Sequence, residues 1–113
     1  MDFNLNDVAV THNEETHRFE ARVENLTSLL TYRRTGDRIT FLHTEVPPSL
    51  ERHGLAAKLT RAALDFARAA HLRVVPLCPY VASYIRKHAE YQDLVAPGDG
   101  RNLLSPSNRA GSE

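Results

Sequence analysis

The side chains best suited to bind an anion cluster around the start of a predicted helix. Helix starts carry free N–H groups and a partial positive charge, and acidic side chains usually occupy them. Here Arg52 and His53 precede the helix and Lys58 lies in its first turns, with Glu51 opposing them. Cations become favourable at this end when an anion binds between them, and Gly54 would let that anion approach the backbone. The pattern predicts a phosphate-binding loop. The alternative is an ordinary solvated helix start with a loop glycine.

Three other side chains could take part in chemistry. Glu45, with His43 on the same face of a predicted strand, could act as a general base, although both could equally be exposed polar residues. Cys78 precedes a helix, where N–H groups favour a nucleophilic thiolate; a small buried residue is the other interpretation. Tyr84 lies on an apolar helical face, which by itself indicates a core tyrosine.

The strands that hold these residues follow from alternating apolar and polar positions. Strand-like patterns occur at 17–24, 26–32 and 39–46. Turn signals separate them, so we predict an antiparallel meander of three strands. Residues before position 17 are polar without a clear period and add at most a short strand around 8–10.

Helical spacing and prolines define the second half of the chain. Two prolines end the third strand, and apolar residues then recur at helical spacing from 55 to 70. The short apolar run 74–77 follows, and a strand, helix and strand in succession predict that it runs parallel to 39–46. Pro76 favours an edge position for this strand, and Pro79 suits the first position of a short second helix.

Size and charge limit the class of protein. The chain has 113 residues, enough for one domain and one core. A formal net charge of zero and a pI near 7.0 argue against a general nucleic-acid binder. The single cysteine cannot form an intrachain disulfide, and the six histidines lack metal-ligand spacing.

Neither a signal peptide nor a membrane-spanning run is recognisable. We therefore expect a cytoplasmic monomer or homodimer without a metal, nucleic-acid or membrane partner. Residues 1–96 are predicted to form the domain. Residues 97–113, rich in glycine, proline and serine, are predicted to form a flexible tail.

The order of strand, loop, helix, short strand and short helix resembles the GNAT superfamily of acyl-CoA-dependent N-acyltransferases, in its compact form. The resemblance covers about 17–95 and is carried by Thr44–Val46, Glu51–Ala56, Val74–Tyr80 and Tyr84–Tyr91. It implies an α/β (α+β) fold in which two helices pack on a mixed, mostly antiparallel sheet.

The resemblance also implies acetyl-CoA as co-substrate, with its diphosphate on the loop. The superfamily pattern of Gln or Arg, two residues, Gly, one residue, and Gly or Ala falls on Glu51, Gly54 and Ala56, and Glu51 departs from it. That departure would shift diphosphate contact to nearby cations and backbone N–H groups. The implied cofactor-binding residues are Val46, Arg52, His53, Gly54, Leu55, Ala56, Ala57 and Lys58.

By the same resemblance, Tyr84 occupies the position of the tyrosine that protonates the leaving thiolate. With such a reaction in view, Glu45 could be the base for the amine and Cys78 could accept the acyl group, and both are further catalytic candidates because of their positions in the sequence. The function so implied is N-acetyl transfer to an unidentified amine. A non-catalytic module that binds CoA or acetyl-CoA is the alternative, because the chain is short for an acceptor pocket. A third is an interaction domain that binds no ligand at this loop.

Overall fold

The computed structural model describes residues 3–97, and within them one five-stranded sheet. Spatial order in the sheet equals chain order. The strands are β1 (Val10–Asn13), β2 (Arg18–Val23), β3 (Leu26–Thr35), β4 (Arg38–Glu45) and β5 (Arg73–Pro76). Strands β1 to β4 are antiparallel neighbours, whereas β5 pairs parallel to β4. The predicted mixed, mostly antiparallel sheet is confirmed. The predicted tail lies outside the described residues, apart from Pro97.

Two helices complete the fold. Helix α1 (Leu55–Ala69) connects β4 to β5, and α2 (Pro79–Lys87) follows β5 with Pro79 at its first position. Short 3-10 turns lie at Leu5–Asp7, Pro48–Leu50 and Ala89–Leu94. One prediction was misplaced, because the N-terminal strand expected around 8–10 begins at Val10 and runs to Asn13.

The core is formed by apolar side chains that alternate along the strands and face the helices. Phe19, Leu30 and Phe41, on neighbouring strands, are buried on the sheet face that the helices cover. Leu59 and Ala63 are fully buried on the apolar face of α1. These residues join one hydrophobic cluster, so the spacing that predicted the elements also explains their packing.

The segment after α2 docks back onto the fold. The Tyr91 hydroxyl donates to Asp65 of α1 at 2.8 Å, and Arg68 donates to both carboxylate oxygens of Asp93 at 2.9 and 3.1 Å. Burial, followed by the bond to Asp65, raises the pKa of Tyr91 to about 12. Val95 then forms a parallel bridge with Val74, beside the edge strand β5.

Strands β4 and β5 separate before β4 ends, and this separation positions the site described below. Strand β5 pairs only with residues 38–41 of β4, and the Cys78 N–H donates to the Phe41 carbonyl at 2.9 Å. Strand β4 continues to Glu45 against β3, with a register shift that leaves Leu42 as an extra residue. Backbone groups of β4 beyond Phe41 that point away from β3 therefore have no β5 partner.

No helix in the described part of the chain is long and apolar enough to span a membrane.

Candidate functional site

A cavity of about 380 Å³, here called the notch, opens where β4 ends and α1 begins. It is lined by Thr44, Val46, Leu50, Glu51, Arg52, Gly54, Leu55, Ala56, Ala57 and Tyr80. The structure thus brings together six of the eight residues predicted to bind the cofactor, the exceptions being His53 and Lys58. The notch lies on the side of β4 that β5 leaves open, so it combines unpaired strand backbone with a helix start.

The start of α1 has the character of an anion site. Gly54 is its N-cap, no side chain caps the helix, and no acidic residue lies in its first turn. The first helical bond joins the Lys58 N–H to the Gly54 carbonyl at 3.0 Å, so the N–H groups of Leu55–Ala57 donate to no acceptor within residues 3–97. Free N–H groups and the helix dipole favour a negatively charged ligand here.

The fold itself favours glycine at position 54, apart from any need for a ligand to approach the backbone. The φ of Gly54 is +88°, in the left-handed region, and an added Cβ would lie 3.0 Å from Leu5 Cδ2. Its missing side chain would therefore point at the N-terminal turn. Arg52, which lines the notch, also has a positive φ, of 69°. Two left-handed residues within three positions turn the chain sharply into α1.

The two remaining predicted cofactor residues lie elsewhere. Lys58 donates from its ammonium to the Leu5 carbonyl at 2.6 Å and lines a second cavity of about 540 Å³ between the N-terminal segment and α1, which shares Gly54 and Ala57 with the notch. The His53 ring packs against Phe3, with centroids 5.0 Å apart. Neither side chain lines the notch.

Tyr84 lies beside the notch rather than in its wall. It is 6% exposed, its ring stacks on His88 with centroids 3.8 Å apart, and its hydroxyl accepts a long bond of 3.5 Å from Arg61 Nε. It lines a third cavity, between α1 and α2. Tyr80, one helical turn earlier, lines both this cavity and the notch. Sequence reasoning missed Tyr80, although its i, i+4 spacing from Tyr84 was a usable signal.

Glu45 and Cys78 occupy contrasting environments. The Glu45 carboxylate and His43 Nε2 are 3.0 Å apart, and both side chains are exposed. Glu45 lines a groove that shares Thr44 with the notch. Cys78 is 2% exposed, with its sulfur 3.3 Å from Thr44 Oγ1. An acyl group could reach Cys78 only if neighbouring side chains moved.

Within residues 3–97, no group of three or more His, Cys, Asp or Glu side chains is placed to hold a metal ion.

Comparison with known proteins assigns these elements to a family. The family model described as GCN5-related N-acetyl-transferase matches residues 18–94. The chain belongs to the GCN5-related N-acetyltransferase family. The match runs from β2 to the turn after α2 and so includes every element that lines the notch, while β1 lies outside it.

The chain is also similar to Protein NATD1 of several vertebrates. The mouse and chicken proteins are each 32% identical over 84 residues, covering 72% of this chain and 76% of theirs. The human protein is 32% identical over the same length, covering 72% of this chain and 74% of its own.

Proposed function

We propose that this chain binds acetyl-CoA in the notch and transfers the acetyl group to an amine. The observation that carries the proposal is the separation of β4 from β5 directly beside an uncapped helix start, in a chain of the GCN5-related N-acetyltransferase family. At about 380 Å³, the notch is within the usual size range of small-molecule sites.

The residues of the notch fit the chemistry of this ligand. The diphosphate would be held by the N–H groups of Leu55–Ala57 and by Arg52, which is exposed at the mouth. The pantetheine arm carries amides, and these can pair with the backbone of β4 that β5 leaves open. Val46 and Leu50 supply apolar wall.

Catalysis by this site would rest mainly on positioning. The amine nitrogen attacks the thioester carbonyl, a C–N bond forms, and the C–S bond breaks to release the CoA thiolate. Holding the amine against the thioester replaces a bimolecular encounter. A β4 backbone N–H facing the notch, near Val46, would stabilise the oxyanion.

Proton transfer would involve groups on both sides of β4. Tyr84 is the proposed donor to the leaving thiolate, because a phenol keeps its proton at neutral pH and so has one to give as the C–S bond breaks. Glu45, paired with His43, lines the groove that shares Thr44 with the notch. From there it could accept the amine proton through water. Cys78 remains a candidate acyl acceptor whose burial demands local movement.

A non-catalytic module that binds acetyl-CoA is the second candidate. It is favoured by the burial of two of the three residues proposed for chemistry, Tyr84 and Cys78. Binding without turnover needs only the notch, so the two functions differ in acetyl transfer alone.

Calorimetry with a matched pair of variants tests the proposal. Ala56→Glu places a carboxylate in the notch, whereas Ala69→Glu places one on the exposed far end of the same helix. We expect Ala56→Glu to weaken acetyl-CoA binding at least about 100-fold, by repulsion of the diphosphate and loss of space. Ala69→Glu should bind like the wild type.

An Ala56→Glu variant with native circular dichroism and unchanged affinity would refute binding in the notch. Thiol release in the presence of a panel of amines then separates the two functions. Saturable release supports transfer, whereas tight binding without release supports the non-catalytic module.

A further inference from the structure

The sheet has one edge that the described residues partly cover and one that they leave open. At the β5 edge, Val95 forms a bridge with Val74, and the Ala96 N–H donates to the Val74 carbonyl at 2.9 Å. Strand β1 is the other edge, and no segment within residues 3–97 pairs with its outer side. Its residues, Val10–Asn13, include no charged residue and no proline, which commonly protect an exposed edge.

The hydrogen-bond pattern of the sheet shows which backbone groups point out of this edge. Strands β2 and β3 join through a two-residue turn, so the residues that flank it form a hydrogen-bonded pair, and such pairs alternate along β2. The β2 residues between those pairs bond to β1, where their partners are Thr11 and Asn13. The N–H and C=O groups of Val10 and His12 therefore point away from the sheet and are free to bond to another strand.

The second cavity, between this edge and α1, carries a net positive charge. Residues 8–10 line it, opposite Lys58 of α1. Arg61 and Asp65 also line it, and these two side chains, one helical turn apart, offset each other in charge. The Lys58 ammonium donates to the Leu5 carbonyl rather than to a carboxylate. The cavity thus keeps one cation beside the start of β1.

The far end of β1 carries the complementary charge. Glu14 follows the strand, with 74% of its side chain exposed and its carboxylate 3.8 Å from His12 Nδ1. Because strand side chains alternate, Glu14 shares the sheet face of His12 and Val8, which is the face that α1 covers. A second copy whose β1 runs antiparallel to this one would bring its own Glu14 to the Val8 end, beside Lys58.

We propose that two copies of this chain associate through their β1 strands, in antiparallel orientation, so that two five-stranded sheets become one continuous sheet. In the register that we infer, Val10 pairs with the partner's His12, and each such pair exchanges two hydrogen bonds. This register places Glu14 opposite the partner's Val8, within reach of the partner's Lys58. Thr11 then faces the partner's Thr11 at the two-fold axis, and threonine pairs favour such positions.

Light scattering after size exclusion, together with sedimentation over a series of concentrations, measures the association of the full chain. The wild type should be a dimer. Glu14→Lys and Lys58→Glu each replace both intermolecular ion pairs by repulsive contacts, so each should raise the dimer dissociation constant at least about tenfold. The double variant restores opposite charges with the positions exchanged, and its dissociation constant should return to within about threefold of the wild type.

Glu90→Lys is the matched control for the charge reversals. Glu90 is exposed in the segment after α2, on the β5 side of the fold, and its replacement makes the same change of charge. This variant should dimerise like the wild type. A wild type that stays monomeric at its highest soluble concentration would overturn the inference, and the edge would then be open to an extended segment of another protein. A dimer that neither reversal weakens would also overturn it.

A disulfide tests the register independently of these charges. Thr11→Cys should link two copies on mild oxidation, because opposite side chains of a pair without hydrogen bonds are about 4.5–5.5 Å apart at Cβ. Thr35→Cys, at an exposed threonine at the end of β3, and the wild type, whose Cys78 is 2% exposed, should remain unlinked. A dimer that Thr11→Cys does not link would refute pairing through β1. Both measurements are made without acetyl-CoA, so their outcome leaves the proposed function untouched.

Discussion

Tyr84 and Tyr80 present two hydroxyl groups to adjoining parts of the site, with ring centroids 6.5 Å apart. If Tyr84 protonates the thiolate, Tyr84→Phe should lower kcat by about 10²- to 10⁴-fold. Affinity for acetyl-CoA should change little, since phenylalanine keeps the ring against His88. Initial rates with an accepted amine, together with calorimetry, measure both effects.

Tyr80→Phe is the comparison for this prediction. Tyr80 lines the notch, whereas Tyr84 lines only the neighbouring cavity. A larger loss of kcat in Tyr80→Phe than in Tyr84→Phe would move the acid role to Tyr80. Unchanged turnover in both variants would exclude a tyrosine acid on α2.

The loop into α1 and the β3–β4 turn offer two left-handed glycines for comparison. Gly54 has φ +88° and Gly36 has φ +59°, but a Cβ meets Leu5 only at Gly54. We expect Gly54→Ala and Gly36→Ala each to cost about 1–2 kcal/mol in the free energy of unfolding, from backbone strain. Only Gly54→Ala should weaken acetyl-CoA binding. Urea denaturation measures the free energy of unfolding, and calorimetry measures the affinity for acetyl-CoA. Unchanged affinity in Gly54→Ala would show that binding does not depend on the left-handed conformation of this loop.

The stability of the whole domain should depend on the protonation of His12. Its ring stacks on Phe19 with centroids 4.2 Å apart, and its Nε2 lies 2.6 Å from the Tyr32 hydroxyl. Burial lowers the pKa of His12 below 6.5, with Glu14 opposing the shift and Arg34 adding to it. The unfolded chain then binds a proton more readily than the folded one. The stability contribution is therefore complete above about pH 6.5 and is lost as the pH falls through the folded pKa.

Denaturation at about pH 7.5 and about pH 5.0 checks the sign of this effect. The wild type should lose more stability than His12→Gln over that interval, because the variant lacks the titrating imidazole while the other histidines are common to both. An equal loss in the two proteins would contradict the prediction.

Local sequence signals were sufficient for most of the sheet and both helices. The prediction for the first helix, 55–70, differs from α1 by one residue at its end. Pro79 begins α2, as its missing N–H predicts. Parallel pairing of β5 with β4 followed from the strand–helix–strand order alone. These features depend on residues close together in the chain.

The side-chain contacts within the site depend on how helices, strands and loops pack against one another. The periodicity of the sequence does not encode that packing. Lys58 belongs to the polar stripe of α1, yet its ammonium turns to the Leu5 carbonyl, a partner 53 residues away. Tyr80 reaches the notch only because α2 begins where β5 leaves β4. The family resemblance marked Tyr84, whereas the packing of α2 decides which cavity each tyrosine lines.

The agreement between sheet order and chain order has a consequence for folding. Within residues 3–97 every strand pairs with its neighbour in sequence, and only the β4–β5 pair encloses a long connection, through α1. Loop closure costs less for neighbouring hairpins than for this crossover, so we expect the meander to form first and β5 to add later. The notch lies at that last junction. A newly made chain would therefore acquire its antiparallel meander before it acquires a place to bind.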